Sequence, residues 1–322
     1  MATFGRGAEP WVFSAGDPPT ALLPLVFSQH RGVRALRILG HGVSDYLGCV
    51  PLEAPATIWH SLGEALRAEA ASFDLLDLES LHADDEQRRA LVQGLGLHCA
   101  ERLYERCPVI DTCGGWDAYL ESRKKKFRAN LKRAARRVAE HGEPLAARES
   151  LTPALFEDLV KLERESWKWA AKSAFLSDDA SRRFLATVLL DDPVPHELWT
   201  LRLGAALAAF AVVLRAGDVR HYYLPSFCER YPDAGTHLLA AIVKDSFEGP
   251  VREFDFLRGD ESYKLAWANR ERAVHQLVAA GRTALGPIAL TAMRARWRLA
   301  RSHRVRRLRE AVLTWKRGPS LD

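Results

Sequence analysis

The stretch Glu253-Phe254-Asp255-Phe256-Leu257-Arg258-Gly259-Asp260-Glu261-Ser262-Tyr263-Lys264 gathers acids, an arginine, a tyrosine and a lysine within twelve residues. Phe254 and Phe256 share one face of a strand and Asp255 takes the other, because side chains alternate along a strand. Arg258-Gly259-Asp260 reads as a turn, and Tyr263, Lys264 and Trp267 fall on the helix that follows. The ionisable groups from Asp255 to Lys264 therefore collect at or just past the C-terminal end of a strand, where active sites form in α/β sheets. General acid–base chemistry is what such a set can do; a structural cluster of salt bridges is the plainer alternative. No histidine pair or C-x-x-C spacing suggests a metal site, so none is expected.

A second segment suits an anion. Tyr222-Tyr223-Leu224-Pro225-Ser226-Phe227 ends a strand, Cys228–Ala234 forms a loop, and Gly235-Thr236 opens a helix. Free N–H groups and the positive end of the helix dipole face such a loop, and Arg230 adds a charge, so a pyrophosphate fits there. A plain strand–helix connection has the same look. Cys228 has no motif partner and reads as an inert thiol.

These segments need elements to hold them. The opening residues, to about 20, are Gly/Pro-rich and read as loose. Strand patterns follow at Leu23–Ser28 and Ala35–Leu39, then a helix over Ala56–Ala71, a strand at Phe73–Leu78 and a second long helix over Asp84–Glu105. Cys107–Ile110 is strand-like, and a basic helix runs from about Trp116 to His141. Pro144–Arg148 is a strand. Thr152 caps a helix with Pro153 at its first position, running to about Trp169. Another helix starts at Ser177 or Asp178. His196–Leu203, Ala205–Leu214 and Val219–Ser226 form a meander whose first turn is at Gly204. A helix over Gly235–Phe247, a strand at Val251–Phe256, a short helix at Ser262–Ala268 and a strand at Ala273–Leu277 complete the order. Residues 144–278 thus read β-α-α-β-β-β-α-β-α-β.

Charge divides the chain unevenly. Residues 123–137 and 294–317 each contribute +9 to a total of +5, so the remaining residues carry −13. Two basic segments on an acidic body attract phosphates, anionic lipid headgroups or nucleic acid. Met293, Trp297, Val305, Leu308, Val312 and Trp315 make an apolar stripe on the second segment, which either lies in a membrane interface or caps a domain. The apolar runs are too short to span a bilayer, and the N-terminus has no signal-peptide pattern. The cytoplasm is the expected compartment, with a peripheral contact at an anionic inner-membrane surface as the extension. The five irregularly spaced cysteines fit reduced, mostly buried thiols.

The motif F-D-F-x-x-G-D-E-x-Y-K-x-x-W, preceded by Y-Y-L-P-S-F and by R-K-K-K-F-R-x-N-L-K-R, resembles the CelD-type acetyltransferases of cellulose and exopolysaccharide clusters. That family belongs to the GNAT superfamily and is similar to one half of the Fem-type aminoacyltransferases. The resemblance covers about residues 100–278; L-G-H-G-V-S-D-Y at Leu39–Tyr46 is similar to the family's N-terminal half. It implies an α/β (α+β) fold of tandem GNAT-like domains, mixed sheets flanked by helices, with the acyl donor held by the second. The expected divisions are 1–112 for the first half, 113–141 for the basic linking helix, 142–280 for the acyltransferase domain and 281–322 for a basic amphipathic tail.

Transfer from a thioester to an amine then assigns candidate roles. Asp255 or Asp260 is the base, and Tyr263, Tyr223 or Lys264 serves the leaving group or the acyl carbonyl. A backbone N–H on the splayed Val219–Ser226 strand can polarise that carbonyl. Ser226, Arg230, Gly235 and Thr236 would hold acyl-CoA, which is a co-substrate and not a resident cofactor. Trp167, Tyr222, Tyr223 and Arg258 would meet the acceptor; His221 alternates with Tyr222, so one of the two faces the cleft. The branch that N-acylates sphingoid bases to ceramide is the specific expectation. The alternatives are an aminoacyl-tRNA-dependent Fem-like transferase on a cell-wall precursor, an N-acetyltransferase of an amino sugar or small amine, and a binding scaffold. The expected partners are acyl-CoA and an amine acceptor, with nucleic acid entering only through the tRNA alternative.

Overall fold

The computed structural model describes residues 10–15, 19–30, 32–191 and 193–301. The opening residues through 9 and the tail stripe from Val305 to Trp315 lie outside them. In chain order the elements are β1 (Pro10–Ala15), β2 (Ala21–His30), β3 (Val33–Ile38), α1 (Ala56–Ala68), β4 (Leu75–Leu81), α2 (Asp85–Leu95) and β5 (Cys99–Asp111). Then come α3 (Trp116–Ser122), α4 (Lys125–Ala139), β6 (Pro144–Glu149), α5 (Pro153–Arg164), α6 (Trp167–Ala170) and α7 (Asp179–Ala186). The chain continues as β7 (His196–Leu203), β8 (Ala206–Ala216), β9 (Val219–Phe227), α8 (Ala234–Glu248), β10 (Glu253–Asp255), α9 (Ser262–Trp267), β11 (Arg270–Ala280) and α10 (Gly286–Arg301).

Contacts divide the chain into two compact units, with the divisions falling inside β5 and β11. Among the described residues one unit takes 10–105 and 273–301, and the other takes 106–272. The chain is a mixed α/β protein with helices flanking mixed sheets, as expected.

In the first unit the strand order is β1-β2-β3-β4-β11. β3 and β4 are parallel, and the other pairs antiparallel. Leu36, Ile38, Leu76, Leu78 and Leu277 form one face of this sheet, packed on Trp59, Leu62 and Leu66 of α1 and Leu91 and Leu95 of α2. The two helices meet backbone to backbone: a Cβ on Gly94 would lie 2.0 Å from the His60 carbonyl oxygen, and one on Gly63 would lie 2.5 Å from that of Leu91. Gly94→Ala is therefore expected to cost about 1–3 kcal/mol through overpacking, read as a lower urea midpoint.

The helix expected over Asp84–Glu105 is corrected. Asp84 accepts from the N–H groups of Glu86 and Gln87, both at 2.8 Å, and the Gln87 side chain closes a capping box on Asp84 N–H. The helix stops after eleven residues because Gly96 takes the left-handed conformation, φ 52°, that ends helices. The residues after it form β5. Pro10–Ala15, expected to be loose, pairs with β2. The expected basic helix is two helices, since Arg123 and Lys124 are extended.

The second unit carries the order β5-β10-β9-β8-β7-β6. β6 to β9 form the antiparallel meander, and β10 joins β9 in parallel. β5 lies antiparallel on β10's other edge. Thr152 Oγ1 accepts from Leu155 N–H at 3.1 Å and Pro153 opens α5, as read; that helix ends at Arg164 and not near Trp169. Arg220 is buried at 2% exposure between β7, β9 and α8, ion-paired to Glu197 and Asp245 and bonded to Ser246 Oγ. No helix among the described residues is long and apolar enough to cross a membrane. The described part of the basic tail caps a sheet: Leu290, Met293 and Trp297 of α10 pack on Ala35, Leu75 and Val278.

Candidate active site

The site grows from a split in the second sheet. β10 pairs with β9 only at Val219–His221 and ends at Asp255. From Tyr222 onward β9 has no β10 neighbour, and the next residue of the other strand, Phe256, turns its N–H to Pro108 of β5 at 3.0 Å. A bulge opposite the step from Val212 to Val213 admits one extra β9 residue, Tyr223. Tyr222 therefore packs with Phe254 and Phe256, while Tyr223 sits on the opposite layer against Phe175. Tyr222, and not His221, faces the cleft.

The split opens into a cavity of about 290 Å³ between β9, α6, α8 and α9. Trp167, Tyr222, Ser226, Gly235, Thr236 and Tyr263 line it, so six of the expected residues come together. Its other walls include Phe210, Phe227 and Trp267. Ser226 is 3% exposed and its hydroxyl has no hydrogen-bond partner among the described residues. A buried polar group left open beside a cavity is what a ligand or water completes. Gly235 lies against the Phe227 ring, where a Cβ would approach to 2.8 Å. No side chain caps α8; its N-cap Asp233 is left-handed at φ 68° and receives Arg137 of α4 at 2.9 Å. Thr236 also lines a groove of about 650 Å³ between α3, α4 and α8, floored by Trp116 and Leu131 and edged by Arg128, Lys132 and Lys244.

The other expected residues lie elsewhere. Asp255 is fully buried: its Oδ1 accepts from Leu257 N–H at 2.7 Å, and its Oδ2 pairs with Arg272, which also binds Glu253 at 2.5 Å. This holds the β10–α9 connection, where Leu257 is left-handed at φ 60°. Asp260 is exposed in that connection and does not line the cavity. Lys264 Nζ donates to the Arg258 carbonyl at 2.6 Å and pairs with Glu261 at 3.0 Å, fixing the turn at Gly259. Arg230 pairs on the surface with Glu165 at 2.6 Å, so the cation at the start of α8 is Arg137. Cys228 is buried and its thiol pKa is raised, first by burial and then by its bond to Glu165.

Two groups escaped the sequence reading. Lys168 reaches into the cavity and its Nζ donates to the Pro225 carbonyl at 2.5 Å. Burial lowers its pKa, against the attraction of Glu163 and with a smaller contribution from repulsion by Lys264. Glu163 of α5 is fully buried, with one oxygen accepting from Leu176 N–H at 2.7 Å and Oε1 without a hydrogen-bond partner among the described residues. Burial raises its pKa. Glu163 was legible as an acid in step with Phe156, Leu159 and Val160 on the apolar stripe of α5. Lys168 stands between two tryptophans, Trp167 and Trp169. Tyr263 keeps 43% of its surface open, yet the partial desolvation of its phenol, with Glu261 nearby, raises its pKa.

Residues 125–265 match the acetyltransferase (GNAT) domain family. FemX is similar in fold, with a TM-score of 0.58 and 11% identity over 84% of this chain and 88% of that one. So is L-PGS from Bacillus licheniformis, with a TM-score of 0.58 and 13% identity over 88% of this chain and 87% of that one. The C-terminal domain of a putative lysylphosphatidylglycerol synthetase from Agrobacterium fabrum follows at 0.54 and 11%, covering 88% of each. No curated protein matches the chain. The segment that carries the cavity is a GNAT-type domain, and the protein is an acyltransferase.

Proposed function

We propose that this acyltransferase moves an acyl group from a CoA thioester to an amine, and that the amine belongs to a lipid, with a sphingoid base giving ceramide as the specific case. The observation that carries the reading is the cavity at the β9–β10 split, mostly apolar in its walls and opening beside the uncapped start of α8. The thioester end of the donor enters this cavity. Its phosphates meet the N–H groups and dipole of α8 with Arg137, and its nucleotide follows Thr236 into the basic-edged groove.

The chemistry follows from the side chains present. The amine nitrogen attacks the thioester carbonyl, a C–N bond forms and the C–S bond breaks. Lys168, with its pKa lowered by burial, takes the proton from the amine. Tyr263, kept protonated by its raised pKa, donates a hydrogen bond to the departing sulfur, and the thiolate takes its proton from water. Asp255 positions Tyr263 through the β10–α9 connection it holds, the Pro225 carbonyl orients Lys168, and Asp255 does not touch the reacting atoms. Tyr263→Phe is expected to lower kcat by up to about 10²-fold with little change in KM for the donor, checked by thiol release.

The Fem-like alternative has its own support in α4, which carries seven Lys/Arg and no acid. A panel of acyl-CoAs from acetyl to long-chain, offered with sphinganine, a small-amine mixture or an amino sugar, separates the readings. Long-chain turnover on sphinganine is expected. Turnover on small amines or the amino sugar alone removes the lipid acceptor and keeps the transfer. No thiol release with any donor, together with salt-dependent binding of aminoacyl-tRNA, replaces the reading with the alternative.

A further inference from the structure

The unit of residues 10–105 and 273–301 has a cavity of its own, about 1020 Å³, between one sheet face and α10. Along β3, β4, β5 and β11 this face changes character. One end is apolar, with Ala35, Leu75, Val278 and Ala280 under Leu290 and Trp297. Two residues further along the same alternation stand Arg37, Asp77, Arg102 and Gln276, all lining the cavity.

Burying such groups beneath a helix is costly unless they are bonded. Asp77, 2% exposed, accepts from Gln276 Nε2 at 2.7 Å and pairs with Arg37 at 3.4 Å. Gln276, 3% exposed, accepts from Arg102 Nε at 2.9 Å, and the Arg102 guanidinium lies over the rings of Trp297 at 5.0 Å and Tyr104 at 5.3 Å. The network meets the acceptors on Asp77 and Gln276 but leaves donors over. Arg37 Nε and Trp297 Nε1 are both buried without a hydrogen-bond partner among the described residues. Arg296 adds a third cation to the lining, against the acids Asp77 and Glu79. Met293 and Leu299 supply an apolar wall.

We propose that this cavity binds a small molecule bearing an oxyanion, a phosphate ester or a carboxylate, that accepts from Arg37 Nε and Trp297 Nε1 and faces Arg296. Spare donors and a surplus of arginine call for ligand oxygens. Glu79 favours a ligand that also carries a hydroxyl or an amine. The volume is that of a ligand site.

The test is calorimetric titration of the full chain with glycerol 3-phosphate, inorganic phosphate and succinate, with choline as a cationic control. Saturable binding of at least one oxyanion and none of choline is expected. Phosphate compounds alone, or succinate alone, would tell the two sources apart. Arg37→Gln and Trp297→Phe should each weaken binding about tenfold, as loss of a hydrogen bond to a charged group does, with the thermal midpoint of Trp297→Phe near that of the wild type. If Arg37→Gln fails to fold, Trp297→Phe decides. No saturable heat with any of the three oxyanions, or unchanged affinity in Trp297→Phe, overturns the proposal.

Discussion

Arg272→Ala is expected to cost about 3–5 kcal/mol of unfolding free energy, the usual result of removing one partner from a buried ion pair. Arg272 serves two carboxylates, Asp255 at 0% exposure and Glu253 at 8%. Its loss leaves both in the sheet with far less to compensate their charge. Asp255→Asn beside it isolates the cost of the charge. The asparagine can still accept from Leu257 N–H, and its variant should be the more stable of the two. Urea midpoints with activity measured on the folded fraction separate this from catalysis. An Arg272→Ala protein as stable as the wild type would show that Asp255 is not held by this pair.

Lys168→Met is expected to lower kcat/KM for acyl transfer by about 10²-fold or more. The pH profile carries the sharper sign. Burial lowers the Lys168 pKa, so its neutral form, the base, builds up as pH rises through that lowered value. Wild-type kcat/KM should therefore rise with pH over that range, below the usual titration of lysine. In Lys168→Met the limb should vanish, with the residual rate flat there. The same limb in the variant would mean that the acceptor amine's own ionisation sets the profile, and that Lys168 only orders Pro225.

Much of the second sheet was legible because its signals are local. Thr152-Pro153 starts a helix by its own hydrogen bond and fixed φ. The glycines at 204 and 217, with φ of 58° and 59°, sit where the meander turns. The motif from Phe254 to Trp267 marked the right strand end and helix. What escaped depends on partners distant in sequence. Asp255 looks like a free base until Arg272 is placed on it. Lys168 gains its character from being buried under β9, and nothing local announces that. The first half of β5 was read as helix because Ala100, Arg102 and Tyr104 do not form an apolar stripe of period two, Arg102 and Tyr104 lying under the polar cavity, whereas its second half, Cys107–Ile110, was read as the strand it is. The break between α3 and α4 has neither glycine nor proline to mark it. Arg230 was the expected cation at the anion site because it is near in sequence, yet the α4–α8 packing places Arg137 there and leaves Arg230 to Glu165.

Acyl transfer as proposed requires the donor thioester to enter the cavity between β9, α8 and α9. Calorimetric titration of CoA into the wild type and into Thr236→Trp tests it most directly. Thr236 stands where the cavity meets the basic-edged groove, so an indole there closes the route of the pantetheine arm. Saturable CoA binding by the wild type is expected, with at least a tenfold loss in Thr236→Trp and the unfolding midpoint retained. Wild-type affinity in a folded Thr236→Trp would contradict it.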